Sequence, residues 1–172
     1  MKILAIRHLQ SRFNNDETDD LDSDVSNKGI DQIPSLLLKT RDYIRVGFVG
    51  YVSPYLRTLQ TAKVIQERYK FKIPFIVDNR IGEFDGNLEI PNRQIQFPNF
   101  NWSQFDRKVQ YNREELKNFS KEFIANSIVV SHMSTIIDLA EILTGLDLKQ
   151  KSVPNGSFTL IDDGKLVFIG EK

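Results

Sequence analysis

"KILAIRHLQSRFN", residues 2–14, is the stretch from which the fold is read. Its apolar run, Ile3-Leu4-Ala5-Ile6, is too short for a helix and predicts a buried strand. The run stops at Arg7 and His8, and polar Gln10, Ser11 and Asn14 follow. His8 is one of only two histidines in the chain. A cation and an imidazole at the end of an N-terminal strand suit a binding site, provided that other strands end beside them.

The pattern continues outward from this strand. "VGFVGYVS" (46–53), "IPFIVD" (73–78) and "SIVVS" (127–131) read as further strands, rich in β-branched and aromatic residues. Ser26 is placed to cap a helix carrying Ile30, Ile33, Leu36, Leu37 and Ile44, with Pro34 set to kink or shorten it. Pro54 suits the first turn of a second helix reaching Tyr69. Further helices are predicted over 112–125 and from Ser134, as cap, to Gly145. "SFTLIDDGKLVFIGE" (157–171) predicts a hairpin turning at Asp163-Gly164. Strands alternating with helices and closed by a hairpin give an α/β domain with a mixed sheet.

Bulk properties narrow the function classes. The 172 residues suffice for one domain with a sizeable core, and 40% hydrophobic with 27% charged residues is ordinary for a soluble chain. Lys+Arg and Asp+Glu both number 23, so the balance lacks the basic excess typical of a nucleic-acid binder. Without cysteine there is no disulfide framework and no thiolate metal site. No segment approaches the ~20 apolar residues of a membrane span, and the apolar run at the start is too short for a signal peptide. The expectation is a cytoplasmic protein with neither membrane nor nucleic acid as partner. "DETDDLDSD" (16–24), with six carboxylates, reads as a solvated loop rather than a cation site. Phe97, Phe100, Trp102, Phe105 and Tyr111 read as core and cap packing rather than a stacking platform.

Three polar insertions share one placement. Arg7-His8, Ser53 to Arg57, and Ser131-His132 each lie where a strand gives way to a loop or helix, and α/β sheets bind ligands at those ends. Two guanidiniums and two imidazoles in one crevice make an anion site, and arginine forks suit phosphate oxygens. A nearby carboxylate is the natural general acid or base. Glu83 is the first candidate, with Asp85 and Glu89 as alternatives.

In order, "RHLQSRFN", "SNKGIDQ", "SPYLRTLQTA", "GEFDGN", "VVSHMS" and "PNGSFTLI" resemble the successive motifs of the histidine phosphatase superfamily, the phosphoglycerate-mutase-like group. The resemblance runs from residue 2 to the last hairpin and is weakest over 84–111. It implies a three-layer α/β/α domain over 1–172 with a mostly parallel mixed sheet, and 84–111 as a short substrate-covering insertion. It also implies a metal-independent phosphomonoester hydrolase, without cofactor, acting on a small phosphorylated molecule. His8 would form a phosphohistidine, its other ring nitrogen held by a backbone carbonyl. Arg7, Arg57 and His132 would surround the phosphate oxygens, Glu83 would be the acid, and Ser11 and Asn14 would be secondary phosphate or substrate contacts. Leu9 and Met133 stand where the family has glycine, and both are expected to flank the pocket. They favour a second reading, a catalytically weak relative that binds phosphorylated ligands or a protein partner. The shortness of 84–111 disfavours a third, a phosphoglycerate-type mutase.

Overall fold

A computed structural model describes residues 1–69, 73–83, 88–123 and 125–172. Strands β1 (Lys2–Arg7), β2 (Val49–Val52), β3 (Phe75–Asp78), β5 (Asn101–Gln104) and β7 (Ser127–Ser131) run parallel. β8 (Phe158–Asp162) returns antiparallel to β1, and β9 (Lys165–Glu171) pairs with β8, giving the order β5-β3-β2-β7-β1-β8-β9. A small separate ladder joins β4 (Leu88–Glu89) to β6 (Lys108–Val109). The expected α/β architecture on a mostly parallel mixed sheet is therefore present.

Alternation along the central strands sends side chains to two faces. Leu4, Ile6, Val52, Ile128 and Val130 meet Leu36 of α1 (Asn27–Thr40) and Leu59, Ala62 and Ile65 of α2 (Leu56–Arg68). Ile3, Ala5 and Val129 meet Leu116 and Phe119 of α3 (Arg113–Lys121) and Ile136, Leu139 and Ala140 of α4 (Met133–Thr144). Helices thus cover both faces, and β1, β2 and β7 all deliver their carboxyl ends to the same edge of the layer.

Several boundaries differ from the sequence expectation for local reasons. Helix α1 ends at Thr40, and Ile44 packs beyond it in a turn. Pro34 stays inside α1, since Ile30, whose carbonyl the missing Pro34 N–H would have reached, lies on the exposed face. Helix α2 starts at Leu56, after Pro54, because the Asp22 carboxylate takes the Leu56 N–H at 2.8 Å and caps the helix there. Helix α3 is shorter than 112–125 and is capped by the Asn112 side chain. For α4 the capping position belongs to His132, whose carbonyl accepts from Ile136, and Ser134 falls inside the first turn. The strand expected over 46–53 is confined to Val49–Val52, because Gly47 turns the chain at φ 90°. Of segment 84–111, residues 84–87 lie outside the described residues, and 88–111 are partly sheet, since β5 extends its edge, and Phe97 and Phe100 are buried in the core with Trp102 and Phe105 packed against it.

The motif "SNKG" has a steric purpose. Ser26 caps α1 by accepting from Gly29, and both its N–H and its hydroxyl donate to the Gln10 carbonyl. A Cβ on Gly29 would lie 2.2 Å from that oxygen and 2.5 Å from Val25. Glycine therefore lets α1 press on the loop that follows His8. Gly29→Ala should cost about 1–3 kcal/mol by overpacking against backbone. Thermal unfolding would show this as a Tm lowered by roughly 3–10 °C, and an unchanged Tm would contradict the close approach.

Candidate active site

Arg57 sits in the first turn of α2 and is 1% exposed. A guanidinium so deeply buried needs partners, because leaving the charge uncompensated costs several kcal/mol. Its Nε donates to His8 Nε2 at 3.1 Å, its Nη1 to the Leu21 carbonyl, and its Nη2 to the Glu83 carboxylate. The same Nη2 lies 3.3 Å from His132 Nδ1, and the guanidinium rests against the Tyr55 ring at 4.8 Å.

His8 directly follows β1 and is fully enclosed. Its Nδ1 lies 2.7 Å from the Leu9 carbonyl, an acceptor, so Nδ1 carries the proton. Nε2 is then a lone pair, and it receives the Arg57 N–H. Burial pushes the His8 imidazole well below its ordinary value near 6.5, and the Arg57 charge pushes the same way. His8 is therefore a neutral imidazole at pH 7, its Nε2 lone pair held by the Arg57 N–H that an entering phosphate must draw away.

The backbone around His8 is braced from the loop before β8. Gly156 N–H donates to the His8 carbonyl at 3.0 Å, and Arg7 N–H to the Ser157 carbonyl at 3.0 Å. Asn155 Nδ2 reaches the His8 carbonyl at 3.4 Å and Asn14 Oδ1 at 3.2 Å. Ser11 is buried and donates to Asn14 Oδ1 at 3.0 Å, so the Asn14 oxygen is occupied twice. Arg7 Nη1 is fixed on the Val153 carbonyl at 2.7 Å. Its Nε is buried without a hydrogen-bond partner among the described residues, a donor in place for an anion.

His132 lies at the start of α4, its ring centroid 5.2 Å from that of His8. Its Nε2 meets Ser53 Oγ at 2.9 Å and its Nδ1 meets Glu83 Oε2 at 3.2 Å. A neutral ring donating from Nδ1 to the carboxylate and accepting from the serine hydroxyl satisfies all three groups. Burial lowers the His132 value, with Glu83 opposing the shift and Arg57 reinforcing it. Glu83 is positioned by its two predecessors, since the Ile81 carbonyl accepts from Ser131 Oγ at 2.7 Å and the Gly82 carbonyl from Thr135 Oγ1 at 2.6 Å. Burial opposes ionisation of Glu83, but the hydrogen bond from His132 and the Arg57 charge outweigh it and hold the carboxyl well below its ordinary value near 4.5. In the resting site Glu83 is a carboxylate lying on the cations that an incoming anion would use.

The structure thus brings together Arg7, His8, Arg57, Glu83 and His132, with Asn14 and Ser11 alongside. Glu89 does not join them: it is exposed on β4 and pairs with Arg107 at 3.9 Å. Asp85 lies outside the described residues. Leu9 corrects an expectation, since its side chain is 1% exposed within the core cluster on the α1/α2 side and does not flank the pocket. Met133 is half-exposed where α4 begins. The acidic loop is also not wholly solvated, because Asp22 and Ser23 are buried. Asn155, Ser53 and Tyr55 also contact the site, on His8, His132 and Arg57 respectively. Their spacing alone does not distinguish them from turn and core residues. Among the described residues no group of three or more His, Asp or Glu side chains is arranged to hold a metal ion.

Comparison with known proteins gives the family and the fold. The family model described as "Histidine phosphatase superfamily (branch 1)" matches residues 3–164. No curated protein shows significant sequence similarity to the chain. Among solved structures, a mycobacterial glucosyl-3-phosphoglycerate phosphatase superposes with a TM-score of 0.68 at 16% identity, covering 99% of each chain. The α-ribazole phosphatase from Shigella flexneri gives 0.67 at 18% identity, covering 94% of this chain and 90% of that one. A phosphoserine phosphatase mutant from Entamoeba histolytica, in complex with phosphoserine, gives 0.61 at 15%, covering 98% and 96%. At these identities the likeness establishes the fold. Among the described residues no helix is long and apolar enough to cross a membrane.

The depressed proton affinities predict acid sensitivity. An unfolded histidine binds its proton near pH 6.5, whereas folded His8 and His132 do so only at lower pH. Stability is therefore full above about pH 6.5 and falls as pH drops below it, and Glu83 adds a loss in the same direction below about 4.5. Tm should fall by at least about 3 °C between pH 7 and pH 5. Substituting His8 by Asn should flatten part of that slope, and a Tm independent of pH over this range would contradict a buried neutral His8.

Proposed function

The chain belongs to the histidine phosphatase superfamily, and from that premise we propose that it is a metal-independent phosphomonoesterase acting in the cytoplasm. In this reading it hydrolyses a small phosphorylated molecule through a phosphohistidine on His8. The observation that carries it is the state of His8, a buried neutral imidazole whose Nε2 lone pair lies among Arg57, Arg7 and His132. The solved structures superposed above are named for small phosphorylated molecules, which supports a substrate of that class.

The steps follow from the groups in place. An entering phosphate displaces the Glu83 carboxylate from Arg57 and His132 and takes their hydrogen bonds. His8 Nε2 attacks phosphorus and the bond to the leaving oxygen breaks, splitting one displacement into two. Arg7, Arg57 and His132 stabilise the equatorial oxygens, where positioning and charge do most of the work in phosphoryl transfer. Two negative charges beside displaced Glu83 raise its proton affinity, so the carboxylate takes up one proton from solvent as the substrate enters and then passes it to the leaving oxygen. Water then attacks the phosphohistidine, gives its proton to Glu83, and the N–P bond breaks. Asn14, its oxygen held by Ser11 and Asn155, presents its NH2 group to the phosphate. Segment 88–111 covers the leaving group.

Phosphate release from an activated aryl phosphate, without added metal, tests the core of this reading. Wild type should turn over, and His8→Ala should lose activity by at least about 10⁴-fold. An inert wild type, or equal rates for both proteins, would contradict it. Glu83→Gln should slow an alkyl phosphate by about 10²–10⁴-fold and the aryl ester far less, because only the poor leaving group needs the proton. Equal losses on the two esters would remove Glu83 from the acid role.

A further inference from the structure

Within the acidic run 16–24, Asp22 differs from its neighbours. Its side chain is 9% exposed, and both oxygens are engaged by other segments. Oδ1 accepts from the Leu56 N–H at 2.8 Å, and Oδ2 from Arg93 Nη2 at 2.6 Å. The preceding residue, Leu21, places its carbonyl on Arg57 Nη1. Two consecutive loop residues therefore grip two consecutive residues at the start of α2, one by backbone N–H and the other by guanidinium. Arg93 is 11% exposed, and its Nη1 is buried without a partner among the described residues, so Asp22 supplies the carboxylate that balances it.

We propose that Asp22 is a positioning residue for Arg57, fixing the loop whose Leu21 carbonyl orients the guanidinium, with Arg93 tying segment 88–111 into the same clasp. The proposal rests on the phosphatase reading, because its consequence is the aim of Arg57 at phosphate. Of the guanidinium's contacts, those to His8, His132 and Glu83 are made by groups that take part in the reaction. The Leu21 carbonyl is a bystander to the chemistry, and it can hold the fork while those groups exchange partners. A carbonyl on a free loop would do this poorly, whereas one whose next residue is bound at the α2 terminus and to Arg93 keeps a fixed place. Asp22 also lies at the positive end of α2, where a carboxylate is stabilised by the helix dipole. The same clasp makes the aim of Arg57 depend on how segment 88–111 is seated.

The test compares wild type, Asp22→Ala, Asp22→Asn, Arg57→Gln and the double variant Asp22→Ala/Arg57→Gln. Turnover of one aryl and one alkyl phosphate and inhibition by orthovanadate are measured for each. Asp22→Ala should lower kcat/KM by about 30–100-fold, the scale of a small misplacement of a positioned group. The loss should be equal for both esters, since Arg57 acts on phosphate oxygens and not on the leaving group, and vanadate inhibition should weaken in parallel. Asp22→Asn, which keeps an acceptor for Leu56, should recover most of the activity. Should Asp22→Ala fail to fold, Asp22→Asn supplies the same comparison at smaller amplitude. In the Arg57→Gln background, removing Asp22 should cost less than about 3-fold more, because a residue acting through Arg57 has nothing left to position. A purely structural Asp22 would lower the active fraction, leave vanadate affinity unchanged and cost the same in both backgrounds, which would overturn the proposal. An active wild type with Asp22→Ala unchanged would overturn it alone, and a wild type that neither turns over nor binds vanadate would overturn the phosphatase reading with it.

Discussion

Arg57 is the constraint from which the rest of the site follows. A guanidinium held at 1% exposure is tolerable only if its donors are met, and each of its partners belongs to a different part of the chain. His8 comes from the end of β1, Leu21 from the acidic loop and Glu83 from the segment after β3, where it also meets His132 from the start of α4. Parallel β1, β2 and β7 bring those ends together, so the sheet order and the site are one arrangement. The electrostatic consequence falls on the histidines. Surrounded by fixed positive charge and shielded from water, they remain neutral, and neutrality is what a nucleophilic imidazole requires.

Glu83 carries the complementary lesson. Its carboxylate lies where the cations are strongest, which makes it a firm anion at rest and a poor acid. The proton affinity that the proposed reaction needs arises only when a phosphate replaces it. Substrate entry and acid activation are then the same event, and the resting site is protected from premature protonation by its own ion pairs.

Much of this was legible in the sequence because the signals are local. Arg7-His8, Arg57 and His132 each interrupt an apolar strand or open a helix, and that placement is visible residue by residue. What escaped was long-range. Asp22 sits among five other carboxylates and differs through Leu56 and Arg93, 34 and 71 positions away. Asn155 is a turn former by type, and only the packing of the loop before β8 on His8 gives it a part in the site. Leu9, in a place where glycine was expected, read as an obstruction to the pocket. The direction of one Cβ decides that question, and here it points into the core beneath α1 and α2, where Leu9 adds apolar packing while its N–H is taken by Thr61 Oγ1 at 3.1 Å. The cap of α4 was misplaced for a related reason: Ser134 is the better capping residue by type, but the strand before it ends at His132 and the helix begins there.

The central claim is that His8 Nε2 receives the phosphoryl group, and trapping that species tests it most directly. Wild-type protein mixed with an aryl phosphate and quenched with alkali within one turnover should be digested and examined by mass spectrometry. The account predicts a phosphoryl increment on the peptide carrying His8, stable to alkali and lost in acid, and absent from His8→Ala. Turnover with no such adduct on His8, or an adduct on His132 in its place, would contradict it.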